Sequence, residues 1–138
     1  MNTPVSFPLA KLLKEKGFDL KVITFYDYER LSTPFDKQRQ VDGLINYNPI
    51  NWNNVKNHYT SAPTIADVVM WCFNKYKYSI EYSMNIPESG EYNGCYVFNG
   101  LIKGSEDYKL KIFYTSKDYP TIEKALEDTI NHFLVNFC

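Results

Sequence analysis

Residues 61–84, SAPTIADVVMWCFNKYKYSIEYSM, constrain the fold more than any other stretch, because the hydrophobic period changes there from helical to alternating within a few residues. Thr64 and Asp67 stand three apart and read as a capping box, each side chain accepting from the other's free backbone N–H, so a helix starts here. Apolar residues follow at Ile65, Val68, Val69, Cys72, Phe73 and Tyr76, which share one helical face, and that face must be buried. From Tyr78 the period drops to two: Tyr78, Ile80, Tyr82 and Met84 alternate with Ser79, Glu81 and Ser83, which predicts a half-solvated strand. Almost no loop separates the two elements, so both should feed one core.

The rest of the chain arranges itself around that pair. VSFPLAKLLKEKG, residues 5–17, predicts a short helix with Ser6 as its cap, Pro8 in the first turn, Leu9, Leu12 and Leu13 on its buried face and Gly17 as its stop. LKVITFYDY, residues 20–28, predicts a strand, and a second is expected at 40–47. ERLSTPFDKQR between them reads as a polar hairpin loop, too long for a strict two-residue turn. NYNPINWNNVKN, residues 46–57, packs six asparagines around one proline and one tryptophan and favours turns. It suits either a binding loop or, as the favoured reading, a surface connector with Trp52 and Ile50 pinned to the core.

Beyond the scaffold strand, Asn93-Gly94 suits a tight turn, a strand is expected at 95–102, and KGSED reads as the next turn. YKLKIFYT then alternates Tyr108, Leu110, Ile112 and Tyr114 against Lys109, Lys111 and Phe113, completing a three-stranded antiparallel meander. A final amphipathic helix carries Ile122, Ala125, Leu126, Thr129, Ile130, Phe133, Leu134 and Phe137 on one face. Its opening, PTIEKAL, echoes PTIADVV at residues 63–69, but Pro-Thr-Ile is a generic helix start and the flanks diverge. The expected architecture is one α+β domain over residues 1–138: an antiparallel sheet, hairpin plus three-stranded meander, with three helices packed mainly on one face.

Composition narrows the function. At 138 residues, with 44% hydrophobic and 22% charged, the chain is globular and large enough to bury a core without staples. No apolar run approaches the roughly 20 residues that span a bilayer, and MNTPVSFPLAKLL lacks a basic region ahead of an apolar stretch, so a cytoplasmic, unprocessed protein without membrane contact is expected. Cys72, Cys95 and Cys138 form neither a disulfide framework nor a CxxC motif and are expected as reduced thiols. The net charge is −1, with 8 basic and 6 acidic residues through position 60 and 7 basic and 10 acidic after it, so neither half offers the positive field of a nucleic-acid binder.

Chemistry-bearing motifs are sparse. His58 and His132 have no orienting acid or nucleophile at a local spacing, and no paired Cys/His cluster suggests a metal. The six glycines form no phosphate-binding loop, and the closest acid pairs, such as Glu106-Asp107 and Glu127-Asp128, are dispersed. No catalytic residue, metal or cofactor is therefore assigned. The feature that most invites a function is the aromatic content, with 12 tyrosines, 9 phenylalanines and 2 tryptophans, more than such a core encloses. Trp52, Tyr82, Tyr96, Phe98, Tyr108, Phe113 and Tyr114 are the candidate interaction surface, although rings at period two also serve cross-strand packing.

Three segments, SFPLAKLLKEKGF, SAPTIADVVMWCFNKYKYSIEY and TIEKALEDTINHFL, together resemble a family of short uncharacterised proteins from Bacteroidetes and their phages. The resemblance is carried by apolar and turn positions and is weakest across residues 29–59. It implies a single α+β domain and a mobile-element origin, and it implies no activity. The favoured expectation is a non-enzymatic accessory protein acting through a protein partner or through self-association. Two alternatives stand beside it. One is a small enzyme, marked by a deep cleft gathering His58 or His132 with an acid. The other is a weak single-strand binder, marked by rings on an open sheet face flanked by lysines.

Overall fold

The computed structural model describes residues 3–33, 49–85, 96–106 and 109–138, which form three α-helices and two antiparallel three-stranded sheets of an α+β fold. These residues gather into two compact units, Met1–Asp67 and Val68–Cys138, the division falling within the second helix. Among the described residues no helix is long and apolar enough to cross a membrane.

The first unit opens with α1, Phe7–Glu15, which has Pro8 in its first turn and buries Leu9, Ala10 and Leu13. Gly17, at φ 87°, ends it in a Schellman arrangement: Phe18 N–H donates to Leu13 O at 2.9 Å and Gly17 N–H to Lys14 O at 3.1 Å. The buried Phe18 ring follows as the hydrophobic partner of that cap. The sheet has the order β2-β1-β3, with β1 at Phe25–Asp27, β2 at Arg30–Ser32 and β3 at Tyr59–Ser61.

Here the structure departs from expectation. Residues 30–32 form a strand inside the segment expected as loop, joined to β1 by the two-residue turn Tyr28-Glu29, with Asp27 opposite Arg30. Such turns usually place Gly or Asn where the backbone turns left-handed, but here Tyr28 takes φ 56°. No turn signal is therefore visible in the sequence. The strand expected at 40–47 lies outside the described residues.

The asparagine-rich stretch behaves as a connector. Ile50 and Val22 exchange two backbone hydrogen bonds, of 2.9 and 3.1 Å, and Trp52 begins a 3₁₀ turn, Trp52–Asn54. The Trp52 indole donates to Val22 O at 2.9 Å and stacks on Phe25 with ring centroids 4.0 Å apart. Asn53 then ties two segments together, donating from Nδ2 to Phe18 O at 2.9 Å and accepting from Ser61 N–H at 2.8 Å.

α2, Ile65–Tyr76, starts on the expected capping box: Thr64 N–H donates to Asp67 Oδ2 at 3.0 Å and Asp67 N–H to Thr64 Oγ1 at 3.2 Å. Lys77 takes φ 64° and closes the helix without a glycine, and the next strand begins two residues later. The buried face is rotated from the expected one. Val68 and Cys72 are buried as foreseen, but Trp71 joins them and Phe73 is 52% exposed. On the helical wheel Trp71 flanks Val68 on the side away from Cys72 and Phe73, so burying it turns the core-facing stripe away from Phe73.

The second sheet is the expected meander, β4 (Ser79–Asn85), β5 (Val97–Glu106) and β6 (Lys109–Thr115), in the order β4-β5-β6. β5 continues through Lys103–Glu106, where a turn was expected, because those residues pair with β6 as far as Glu106 opposite Lys109. α3, Ile122–Asn136, is capped by Thr121 and buries Ala125, Leu126, Thr129, Ile130, Phe133 and Leu134. It crosses the sheet at Gly100, where a Cβ would meet the Thr129 side chain and come within 2.8 Å of Ala125 O.

Two substitutions test these junctions. Asn53→Ala leaves Ser61 N–H and Phe18 C=O without their partner and is expected to lower the unfolding free energy by about 1–3 kcal/mol in urea titration. Gly100→Ala is expected to cost about 1–3 kcal/mol by forcing α3 off the sheet. Adding Thr129→Ala should not restore the loss, because the Ala125 carbonyl still blocks the Cβ.

Candidate functional site

Pairing along the meander decides which way its rings point. Residues opposite one another on antiparallel strands share a face, so Ile80 with Ile102, Tyr82 with Gly100 and Met84 with Phe98 lie on one side. Gly100 lies against α3, so this is the face α3 covers. The opposite face carries Ser79, Glu81, Ser83, Asn99, Leu101 and Lys103, with Glu81 Oε2 3.1 Å from Lys103 Nζ. The aromatic residues of β4 and β5 are thus on the helix side, not displayed on the open side.

A bulge adds Phe113 to the helix side, next to Tyr114. The β5–β6 register shifts between Ile102 and Lys103: Tyr114 pairs with Ile102, but Ile112 pairs with Lys103. Phe113 and Tyr114, adjacent in sequence, consequently both turn toward α3. Phe113 lies 5.5 Å from the Tyr78 ring and 6.4 Å from Phe137, while Tyr114 stacks on His132 at 3.7 Å with planes 11° apart. Ile112, expected on the apolar face, is instead 61% exposed opposite Lys103.

Of the seven candidate surface residues, Trp52 must be withdrawn, because its ring is buried against Phe25 and its indole N–H is satisfied within the core. Tyr108 lies outside the described residues. Tyr114 is half-buried against His132, and Phe113 is partly exposed at the edge of the Tyr78–Phe137 cluster. Tyr82 and Phe98 come together with Met84, which sequence reasoning placed on the strand but not on the surface. Tyr82 is 44% and Met84 55% exposed, Phe98 is half-buried with its ring 6.4 Å from Tyr82, and Tyr96 is exposed just before β5. Toward Ile80 and Ile102 the same face is fully covered, whereas Tyr82 and Met84 on the outer strand are not.

Behind the cluster the backbone is held firmly. Phe98 and Tyr119 exchange backbone hydrogen bonds of 2.8 and 2.9 Å. The buried Asn99 side chain accepts from Asn85 Nδ2 at 2.6 Å and donates to Asp118 Oδ1 at 2.8 Å and Ser116 O at 3.2 Å. These bonds fix the β4–β5 end and the segment following β6 as one support for the exposed rings.

In the first unit the fold joins groups that are far apart in sequence. His58 Nε2 lies 3.5 Å from Asp27 Oδ1, and the Tyr28 ring stacks on the imidazole at 4.6 Å. Lys14 Nζ donates to Asn57 O at 2.9 Å and Tyr59 O at 2.7 Å. Lys14, Tyr28, Asn57 and His58, with Phe7, Lys11, Glu15 and Thr60, line an open groove of about 490 Å³. A carboxylate beside an imidazole can orient it for proton transfer. This groove is shallow, and two of the Lys14 donors are spent on main-chain carbonyls. The pair was illegible in sequence because β3, which sets Tyr59 opposite Asp27, was not foreseen.

Elsewhere the perturbed groups are pushed away from reactivity. Burial foremost raises the Cys72 thiol to about 12, with the charge of Cys138 adding to it. Burial also raises the Tyr76 phenol to about 12, followed by its hydrogen bond to Cys138. Tyr119 rises to about 12 through burial, then through its hydrogen bond to Asp128 and the Asp128 charge. Groups poised for catalysis near neutral pH shift toward it, not beyond it. Among the described residues no cluster of three or more His, Cys, Asp and Glu could hold a metal ion. Comparison with protein-family models, with curated proteins and with solved structures finds no match to this chain.

The shifted tyrosines predict an alkaline limit to stability. Tyr119 ordinarily ionises near 10.0 and in the fold near 12, so the folded state keeps its proton when the unfolded chain loses it. Stability is full below pH 10 and falls as pH rises from 10 through about 12. Denaturant unfolding across that window should show a shallower fall for Tyr119→Phe than for the wild type. Equal slopes would show that Tyr119 does not contribute to the decline.

Proposed function

We propose that the protein is a non-enzymatic accessory protein that acts through protein contact, with a partner or with itself, at the Tyr82–Met84–Phe98 end of its meander. The observation that carries this reading is the exposure of Tyr82 and Met84 on a sheet face that α3 covers elsewhere, beside Phe98 and on a backbone braced by Asn99. Aromatic and methionine side chains on a preorganised support are what protein interfaces favour at their centres. The cluster also extends to the last residues of β4, so a partner can reach both the rings and the strand edge.

The competing readings draw less support. A single-strand platform needs rings on the open face, whereas on β4 and β5 that face carries Ser79, Glu81, Ser83, Asn99, Leu101 and Lys103. An enzyme needs an enclosed site, whereas His58, which has Asp27 beside it, lines an open groove. Cytoplasmic placement fits Cys72 and Cys138, which are free thiols among the described residues, since thiols persist in reducing compartments. A phage or other mobile element as the source fits the resemblance of the three helix-bearing segments to the Bacteroidetes and phage proteins.

Site-specific photo-crosslinking tests the contact in cells of the natural host. A crosslinking amino acid in place of Met84 is expected to capture a discrete protein, and the same residue in place of Ile112, on the far edge of the sheet, is not. Capture of the same species from both positions, or from neither, would overturn the assignment of the surface.

A further inference from the structure

We infer that the occupant of this surface is a second copy of the chain, paired antiparallel through β4 about a two-fold axis at Tyr82. This rests on the cluster described above as a contact surface and names its partner. The two outer strands of the meander differ in how they are protected. β6 carries the exposed Lys111 and a register shift beside Ile112, the usual devices that keep an edge from pairing. β4 has neither device. Its register with β5 runs unbroken through all seven residues, from Ser79 opposite Lys103 to Asn85 opposite Val97, and among the described residues it has a neighbouring strand on one side alone.

The sequence of β4 is compatible with its own reverse. Centred on Tyr82, antiparallel pairing sets Ile80 against Met84 of the other copy, Glu81 against Ser83, and Ser79 against Asn85. The apolar residues then meet on the face of Phe98, and the polar ones meet on the other. The one charge on the strand, Glu81, faces a serine rather than its own copy and is already neutralised by Lys103 at 3.1 Å. Charge therefore does not oppose the pairing, and like charges directly opposite would have. A shift of the centre by one residue places Tyr82 against Met84 and Ser83 against itself and leaves Ile80 without a partner in the strand. The Tyr82 centre pairs all seven residues.

The contact is small. The apolar side chains newly covered are few beside the roughly 20–30 residues a side of an ordinary stable interface, so the pairing belongs to the weak, concentration-dependent class. It is read from the native mass of the purified full chain across a concentration series, by sedimentation equilibrium. The wild type is expected to pass from monomer to dimer. Tyr82→Lys and Met84→Lys each place a cation at a position counted twice across the axis and should weaken the dimer at least roughly tenfold. Ile112→Lys, on the other edge, should leave it unchanged.

Circular dichroism on each variant checks folding. Amide exchange of the wild type supplies a readout that needs no variant: residues 79–85 should gain protection with concentration, and 109–115 should not. A monomer at every concentration, a dimer that survives Tyr82→Lys and Met84→Lys, or one lost in Ile112→Lys would each overturn self-pairing. The crosslink from position 84 separates the two failures. If the chain stays monomeric but the crosslink captures a different protein, the surface is a contact site and its occupant is not a second copy. If the chain stays monomeric and nothing is captured, both readings fall.

Discussion

The backbone of β5 at Gly100 lies directly beneath α3, with Thr129 and the Ala125 carbonyl filling the space where a side chain would be. Most of the second unit depends on that approach. It lets Ile80 and Ile102 be covered completely by the helix, and it sets which sheet face is apolar. Thr129 adapts to the same contact by donating its hydroxyl to Ala125 O at 2.7 Å, so no polar group is stranded in the buried layer. Since the pleat alternates without interruption along β4, fixing one residue against α3 fixes the whole strand. Tyr82 and Met84 face the helix side because Ile80 does, yet they stay exposed on the outer strand while Ile80 is covered.

The first unit solves a different problem, that of enclosing a core with three-residue strands. Sheets this short contribute few ladder bonds, and polar side chains supply the rest. The Trp52 indole, the Asn53 amide and the Tyr26 hydroxyl each bond to a main-chain group more than seven residues distant, Tyr26 donating to Val5 O at 2.7 Å. Lys14 does the same from the helix. The residues that look most like a binding constellation in this unit, Lys14 and the asparagines, are therefore occupied in holding segments together. This weighs more against a ligand role for the groove than its openness does, because a donor already bonded to two carbonyls offers little to a ligand.

What could be read from sequence follows from how local each determinant is. The capping box at Thr64 and Asp67, the stop at Gly17 and the apolar face of α3 involve residues within one or two turns of each other, and all are present as expected. The features that escaped depend on distant partners. Tyr28 accepts a left-handed backbone where a glycine would advertise the turn, and the ring is held there by stacking on His58, thirty positions on. Trp71 is buried and Phe73 exposed because the core-facing stripe of α2 is turned toward Trp71, a rotation set by packing and not by the local sequence. The bulge at Ile112 leaves no mark in YKLKIFYT, whose alternation is regular, yet it sends Phe113 and Tyr114 to the same side.

The bulge also bears on the candidate surface. Had β6 kept the alternation of its sequence, Ile112 would lie among the rings of the helix side and Phe113 on the open side with Lys103. The inserted residue instead gathers Phe113 with Tyr78 and Phe137, closing the aromatic core at that end, and leaves a single isoleucine outside. The same irregularity breaks the outer edge of β6. A bulge thus consolidates one end of the sheet and spoils one edge for pairing, while the other end and the other edge, both belonging to β4, remain regular and carry Tyr82 and Met84. Apolar exposure and an unprotected edge coincide on one strand, and that coincidence distinguishes this surface from the scattered exposed side chains elsewhere in the described chain.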